Sequence, residues 1–176
     1  NPRSSYTNTR HNNGFKIIDA INTHFKLSKQ KPKFKGLLTT GNIDSKKIYA
    51  IKPLTFMNNS GTAIKELIDY FKIDAKDVFV FHDDLDIDFG KIKVKFGGSS
   101  AGHNGIASID KFIGTDYSRV RIGIGHPKTK KKVSNHVLED FKEDEEERIK
   151  EITENIVKLI PTLIDKKIDL FSSKVN

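Results

Sequence analysis

"VFVFHDDLDIDFGKIKVKF", residues 78–96, holds two kinds of strand around a polar turn. Val78 to Phe81 is an unbroken run of apolar β-formers, the pattern of a strand covered on both faces. Ile92, Val94 and Phe96 instead alternate with Lys91, Lys93 and Lys95. That alternation puts lysines on one face of a second strand and apolar side chains on the other. A doubly covered strand needs helices above and below it, and helical spacing flanks this stretch. "GFKIIDAINTHF" places Phe15, Ile18, Ile21 and Phe25 on one helical face, behind Asn12 and Asn13 as expected caps. "GTAIKELIDYF" repeats the pattern at Ala63, Ile64, Leu67, Ile68 and Phe71, and a short helix is expected over 104–113. "FKGLLTT" and "KKIYAIKP" read as strands joined through the turn "GNIDS", and "RVRIGIG" as a further strand. The last third is mostly helical, with Pro161 expected to open or kink the final segment. Helices alternating with strands predict one α/β domain over residues 1–176. Its mixed, twisted sheet is expected to have helices on both faces, in three layers.

Composition narrows the function. The 176 residues carry 31 Lys and Arg against 23 Asp and Glu, a formal net charge of +8. Residues 143–147 are all acidic, so the positive charge elsewhere is more concentrated than the total implies. An anionic partner, nucleic acid foremost, is one reading; a merely solubilising surface is the other. With no cysteine, disulfides, thiolate metal sites and cysteine nucleophiles are excluded. No apolar run is long enough to span a membrane, and "NPRSSYTNTRHNNG" is too polar for a signal peptide, so a cytoplasmic protein is expected. The chain starts at Asn1-Pro2 without a methionine, which suggests a missing upstream segment.

Ligands of open α/β sheets bind beyond the carboxyl ends of the strands. Polar residues follow strands at Asn58, at His82-Asp83-Asp84 and at His103-Asn104, and Arg10-His11-Asn12 precedes the first helix. Three chemistries compete for them. Gly98-Ser99-Ser100-Ala101-Gly102 matches the G-x-S-x-G elbow of serine hydrolases, with Asp116 and His126 downstream. Against it, the preceding strand has a lysine-coated face, and no HGGG-type oxyanion loop occurs. His82, Asp83, Asp84 and Asp86 are chemically plausible metal ligands, but neighbouring strand residues point to opposite faces. Turn and cap roles therefore suit Asp84, Asp86 and Asp88 better. A histidine base oriented by a carboxylate is the simplest arrangement, and His11 with Asp83 is the favoured pair.

Five stretches appear in order: "NPRSSYTNTRHNNG" (1–14), "KPLTFMNNSG" (52–61), "HDDLD" (82–86), "GHNG" (102–105) and "RVRIGIGHP" (119–127). Together they resemble the bacterial-type peptidyl-tRNA hydrolases over nearly the whole chain, most weakly in the last third. The resemblance implies hydrolysis of the ester joining a peptide to the 3′-terminal ribose of tRNA. It implies His11 as general base and Asp83 as its partner, with neither metal nor covalent intermediate and no cofactor. Asn58 and Asn104 would position water, ester carbonyl and peptide backbone. Asn1 would line the cleft, Tyr6 would buttress it, Met57 would contact the peptide and His103 would support the site from behind. Lys93, Lys95 and Arg121 fall where the family meets acceptor-stem phosphates, and Lys128 to Lys132, Lys130 among them, would clamp the tRNA elbow side. A monomer is expected. On this reading Ser100 merely belongs to the glycine-rich loop leading to Asn104. The chain departs from the family in lacking the opening strand that ends "GLGNPG". Arg3 replaces a glycine, Asn59 an apolar residue, and Ala101 a common glycine.

Overall fold

The computed structural model describes residues 4–127 and 133–176. Helices α1 (Asn13–His24), α2 (Ser60–Phe71) and α3 (Asn104–Ile113) interleave with strands β1 (Lys31–Lys33), β2 (Gly36–Ile43), β3 (Lys46–Pro53), β4 (Phe79–Asp84), β5 (Ile92–Phe96) and β6 (Ser118–Gly123). Helices α4 (Val133–Leu138), α5 (Glu143–Ile164) and α6 (Ile168–Val175) complete it.

The α/β class is as expected, but the strands form two sheets. One is antiparallel in the order β1-β2-β3; the other is mixed, β4-β6-β5, with β4 parallel and β5 antiparallel to β6. "VFVF" is covered on both faces. Phe79 and Phe81 pack with Ile17, Val120, Ile122 and the α5 residues Ile152 and Ile156, while Val78 and Val80 join Ile64, Leu67 and Ile109 of α2 and α3. Helices therefore flank both faces of the mixed sheet. Gly14 lets α1 lie directly on β4, because a Cβ there would collide with the Phe81 carbonyl. Gly61 does the same for α2 against α3, and its N–H donates to Ser108 Oγ at 3.0 Å. A largely apolar cavity of about 750 Å³ lies between β3 and β4 and reaches His11 and Asp83.

Three local expectations need correction, and one strand was not anticipated. The strands of the β2–β3 hairpin run on to Ile43 and restart at Lys46, so its turn is only Asp44-Ser45, both at positive φ, rather than "GNIDS". Asn12 occupies the N-cap position of α1, yet its side chain makes no cap bond. Pro161 lies inside α5 instead of opening a new segment. It falls in the last turn, where its carbonyl still accepts from Asp165 N–H at 3.0 Å. β1, three exposed residues, carried no apolar signal in the sequence.

Candidate active site

β4 ends in His82, Asp83 and Asp84, all buried. Its hydrogen bonding to β6 and the packing of α1 bring Asp83 beneath the start of α1, where His11 sits in a short 3₁₀ turn, Arg10–Asn12. That turn is anchored from below. Arg10 is buried, ion-paired with Glu145 at 2.6 Å, and its backbone N–H donates to the Glu139 carbonyl.

Asp83 is the hub. His11 Nδ1 lies 2.8 and 3.0 Å from its two carboxylate oxygens, and His103 Nε2 lies 3.0 Å from Oδ1. The hydrogen bonds assign the tautomers. His103 Nδ1 accepts the backbone N–H groups of Gly105 and Ile106, capping α3, so its proton is on Nε2 and points at Asp83. Burial alone would push the Asp83 carboxyl up, but the bonds from His103 and His11 outweigh it and hold it well below the usual carboxylate range. The ionised carboxylate takes the His11 Nδ1 proton as a hydrogen bond, leaving His11 Nε2 with a lone pair and no protein partner among the described residues.

A third imidazole backs this pair. The His82 ring meets His103 edge-on at 5.0 Å, and its Nδ1–H donates to the Asp83 carbonyl at 2.8 Å. Burial first, and then the neighbouring His103 imidazole, depress His82 to about 4; its bond to Asp83 and the charges of Asp83 and Asp84 oppose this without prevailing. Between that value and 6.5 the unfolded chain binds a proton that the folded one does not, so stability must rise with pH there. At roughly 1.4 kcal/mol per unit, acidification from 6.5 to 4 is expected to cost on the order of 3 kcal/mol. Asp83 acts in a lower window: its depressed value keeps its contribution intact until the pH falls below the ordinary carboxylate range. Urea unfolding at pH 4.5 and 7 should show the His82 loss, and His82→Asn should flatten it. Equal wild-type stability at the two values would contradict this origin.

His11, Asp83 and His103 also offer three ligand atoms within 4.8 Å of one another, the only such cluster among the described residues. A metal there would have to displace the protons of both hydrogen bonds, and His103 could not shift its proton to Nδ1 without losing two helix N–H donors. The residues fit a hydrogen-bonded dyad better than a cation. The alternative set His82, Asp83, Asp84 and Asp86 does not converge on one point. Asp84 accepts from Asp86 N–H and pairs with Arg121 at 2.7 Å, and Asp86 lies 3.4 Å from His126. His126 is thereby tied to Asp86, and no Ser100–His126 hydrogen bond forms.

Other anticipated residues fall on the rim. Met57 and Asn58 lie in the 3₁₀ turn Met57–Asn59 before α2, with Asn58 exposed. Met57 Sδ and the His103 ring both crowd the α-carbon of Gly105, where a Cβ would lie 2.6 and 3.0 Å from them. Glycine is thus what allows the two loops to meet. Asn104 is exposed at the first position of α3. Tyr6 is half-buried, and its carbonyl accepts from both the N–H and hydroxyl of Thr9. Ala101, where glycine is common in the similar family, has a φ of 47°. Lys93 and Lys95 are exposed on β5, opposite Arg121 and Arg119. Arg121 is held by Asp84, and Arg119 is buried against Asp110. Asn1 and Lys130, with the rest of 128–132, lie outside the described residues. Sequence reasoning missed Arg10 as the anchor beneath His11 and His103 as a helix cap.

The whole chain, residues 1–176, matches the family described as Peptidyl-tRNA hydrolase. The chain belongs to the peptidyl-tRNA hydrolase family. It is 71% identical over 176 residues to a peptidyl-tRNA hydrolase of Pelagibacter ubique, covering all of this chain and 95% of that protein. Identity to the Bartonella henselae peptidyl-tRNA hydrolase is 44%, over all of this chain and 91% of the relative. The crystal structure of the Acinetobacter baumannii peptidyl-tRNA hydrolase superposes with a TM-score of 0.93 at 32% identity, covering 99% of this chain and 90% of that one. Among the described residues no helix is long and apolar enough to cross a membrane.

Proposed function

We propose that this chain is a single-domain peptidyl-tRNA hydrolase over residues 1–176. It would cleave the ester between a peptide, or an N-blocked aminoacyl group, and the 3′-terminal ribose of tRNA. The observation that carries the reading is the His11 Nδ1–H bond to a buried, ionised Asp83, which leaves the lone pair of Nε2 available to accept a proton. A water gives its proton to Nε2 as its oxygen bonds to the ester carbonyl carbon. The bond to the ribose oxygen then breaks, and the same proton passes from His11 to that oxygen. Asp83 keeps the imidazole in the working tautomer and stabilises the imidazolium between the two transfers. Asn58 and Asn104 hold water, carbonyl and peptide N–H, since an amide donates and accepts without adding charge. Asn1 lines the cleft, Met57 meets the peptide side, and Tyr6 steadies the loop before His11. Lys93, Lys95, Arg121 and Lys130 contact tRNA phosphates, and the protein acts in the cytoplasm as a monomer.

Release of N-acetylaminoacyl groups from tRNA by the purified chain tests the assignment; no release, or fluorophosphonate labelling of Ser100, would refute it. The RNA face has its own test. Lys93→Glu/Lys95→Glu is expected to weaken tRNA binding and lower the log–log salt slope by up to about two. Cleavage of a terminal nucleoside ester should survive. An unchanged slope would leave the two lysines as guards of a sheet edge.

A further inference from the structure

The β1–β2 hairpin carries a second basic surface. Residues 26–35 read KLSKQKPKFK, five lysines in ten positions. All five are exposed, and among the described residues Lys26, Lys29, Lys31 and Lys33 make no ion pair; only Lys35 does, with Glu66 at 2.6 Å. Lys31 and Lys33 share one face of β1, the outer strand of its sheet, with Lys29 two residues before them and Lys35 in the turn that follows, so the lysines line the exposed border of the sheet. Aromatic rings close one end. Tyr70 is 61% exposed and lies 5.1 Å from Phe34 and 4.9 Å from Phe71. The Lys33 ammonium rests over Tyr70 at 4.2 Å and over Phe34 at 4.7 Å. The hairpin turn is Phe34-Lys35, with φ of 54° and 53°. Such turns favour Asn-Gly, so an aromatic and a lysine are displayed there at a conformational cost. The same turn touches the site's rim, because Leu54 N–H donates to the Lys35 carbonyl at 2.8 Å, four residues before Asn58.

We propose that this hairpin binds single-stranded RNA, the lysine row tracking phosphates and Tyr70 stacking on an unpaired base. Charge complementarity selects a polyanion: of the carboxylates beside the row, Glu66 is taken by Lys35, Asp69 by Lys65 and Asp19 by Lys52. The exposed ring next to cations selects nucleic acid over an acidic protein, since bases stack on aromatic faces. Lys33 leaves the rings for a phosphate when RNA arrives. The surface is separate from Lys93 and Lys95, which lie on the other sheet. The choice of RNA rests on the proposed tRNA substrate.

The test is fluorescence anisotropy with a fluorescent ten-nucleotide oligouridylate across a salt series. Lys31→Glu/Lys33→Glu is expected to reduce the log–log slope by up to about 1.4, at roughly 0.7 per phosphate on single strands. Tyr70→Ala should weaken binding at least about fivefold with the slope kept, and Tyr70→Phe should restore it. Nucleoside-ester cleavage by the same variants, expected at wild-type rate, certifies the fold. An inactive wild type that still shows these binding changes would sink the esterase assignment and leave the hairpin's role standing. Binding unchanged in the hairpin variants, binding lost only in Lys93→Glu/Lys95→Glu, or poly-glutamate bound as tightly as the oligonucleotide would each overturn the proposal.

Discussion

His11→Ala is expected to slow peptidyl-tRNA hydrolysis by roughly 10²- to 10⁴-fold, the usual weight of a positioned general base, while tRNA affinity stays nearly unchanged. The proposed phosphate contacts Lys93 and Lys95 lie on β5, a different strand from the one that carries Asp83. Losing the imidazole removes the acceptor that Asp83 keeps in the working tautomer, so the attacking water must surrender its proton unaided. Alanine also strips Asp83 of one of its two histidine donors, which could destabilise the cluster. His11→Asn separates the effects, since its amide N–H can still donate to the carboxylate but cannot serve as a base at neutral pH. Single-turnover cleavage of N-acetylaminoacyl-tRNA, with thermal melts alongside, decides the matter. Activity above about a tenth of wild type in the asparagine variant would remove His11 from the role of base.

Local signals in the sequence carried the frame of the molecule, and long-range ones did not. "VFVF" could be read as doubly covered because its burial depends on neighbours above and below, which an uninterrupted apolar run already demands. The α3 span, Asn104–Ile113, is the short helix expected from the sequence. Whether β3 would join β4 could not be read, since edge pairing depends on backbone groups that every residue carries. β1 was hidden because Lys-Pro-Lys has no apolar face; its pairing, Lys33 opposite Gly36, comes from the tight Phe34-Lys35 turn instead. At the site, His11 and Asp83 are 72 residues apart, and chemical plausibility and the resemblance of the surrounding motifs, rather than any local pattern, linked them. His103 escaped notice as a cap because Ser, Thr, Asp and Asn are the usual acceptors there. An imidazole takes that place only when its other nitrogen has a partner such as Asp83. Arg10 looked like part of a polar surface cluster, and only the arrival of α5, with Glu145, makes a buried cation tolerable.

Asp83→Asn should be nearly as damaging as loss of the base, and for a reason of proton placement. His103 cannot change tautomer, because Gly105 and Ile106 both donate to its Nδ1. Its Nε2–H therefore claims the carbonyl oxygen of the new amide. That oxygen is also the one 2.8 Å from His11 Nδ1, but the amide NH₂ now stands 3.0 Å away where Oδ2 accepted, a donor facing a donor that favours moving the proton off Nδ1. The proton moves to Nε2, the atom that must accept one from water, and the imidazolium formed in the reaction also loses its counter-charge. We expect kcat to fall by roughly 10²- to 10⁴-fold with KM for tRNA little changed. Chemical shifts of the His11 ring nitrogens should report the tautomer directly: Nδ1-protonated in the wild type and Nε2-protonated in the variant. Asp83→Glu should keep part of the activity, because a carboxylate still orients Nδ1–H even when displaced by a methylene. A wild-type rate in Asp83→Asn, or an unchanged His11 tautomer together with a large rate loss, would show that Asp83 acts otherwise than by holding that proton in place.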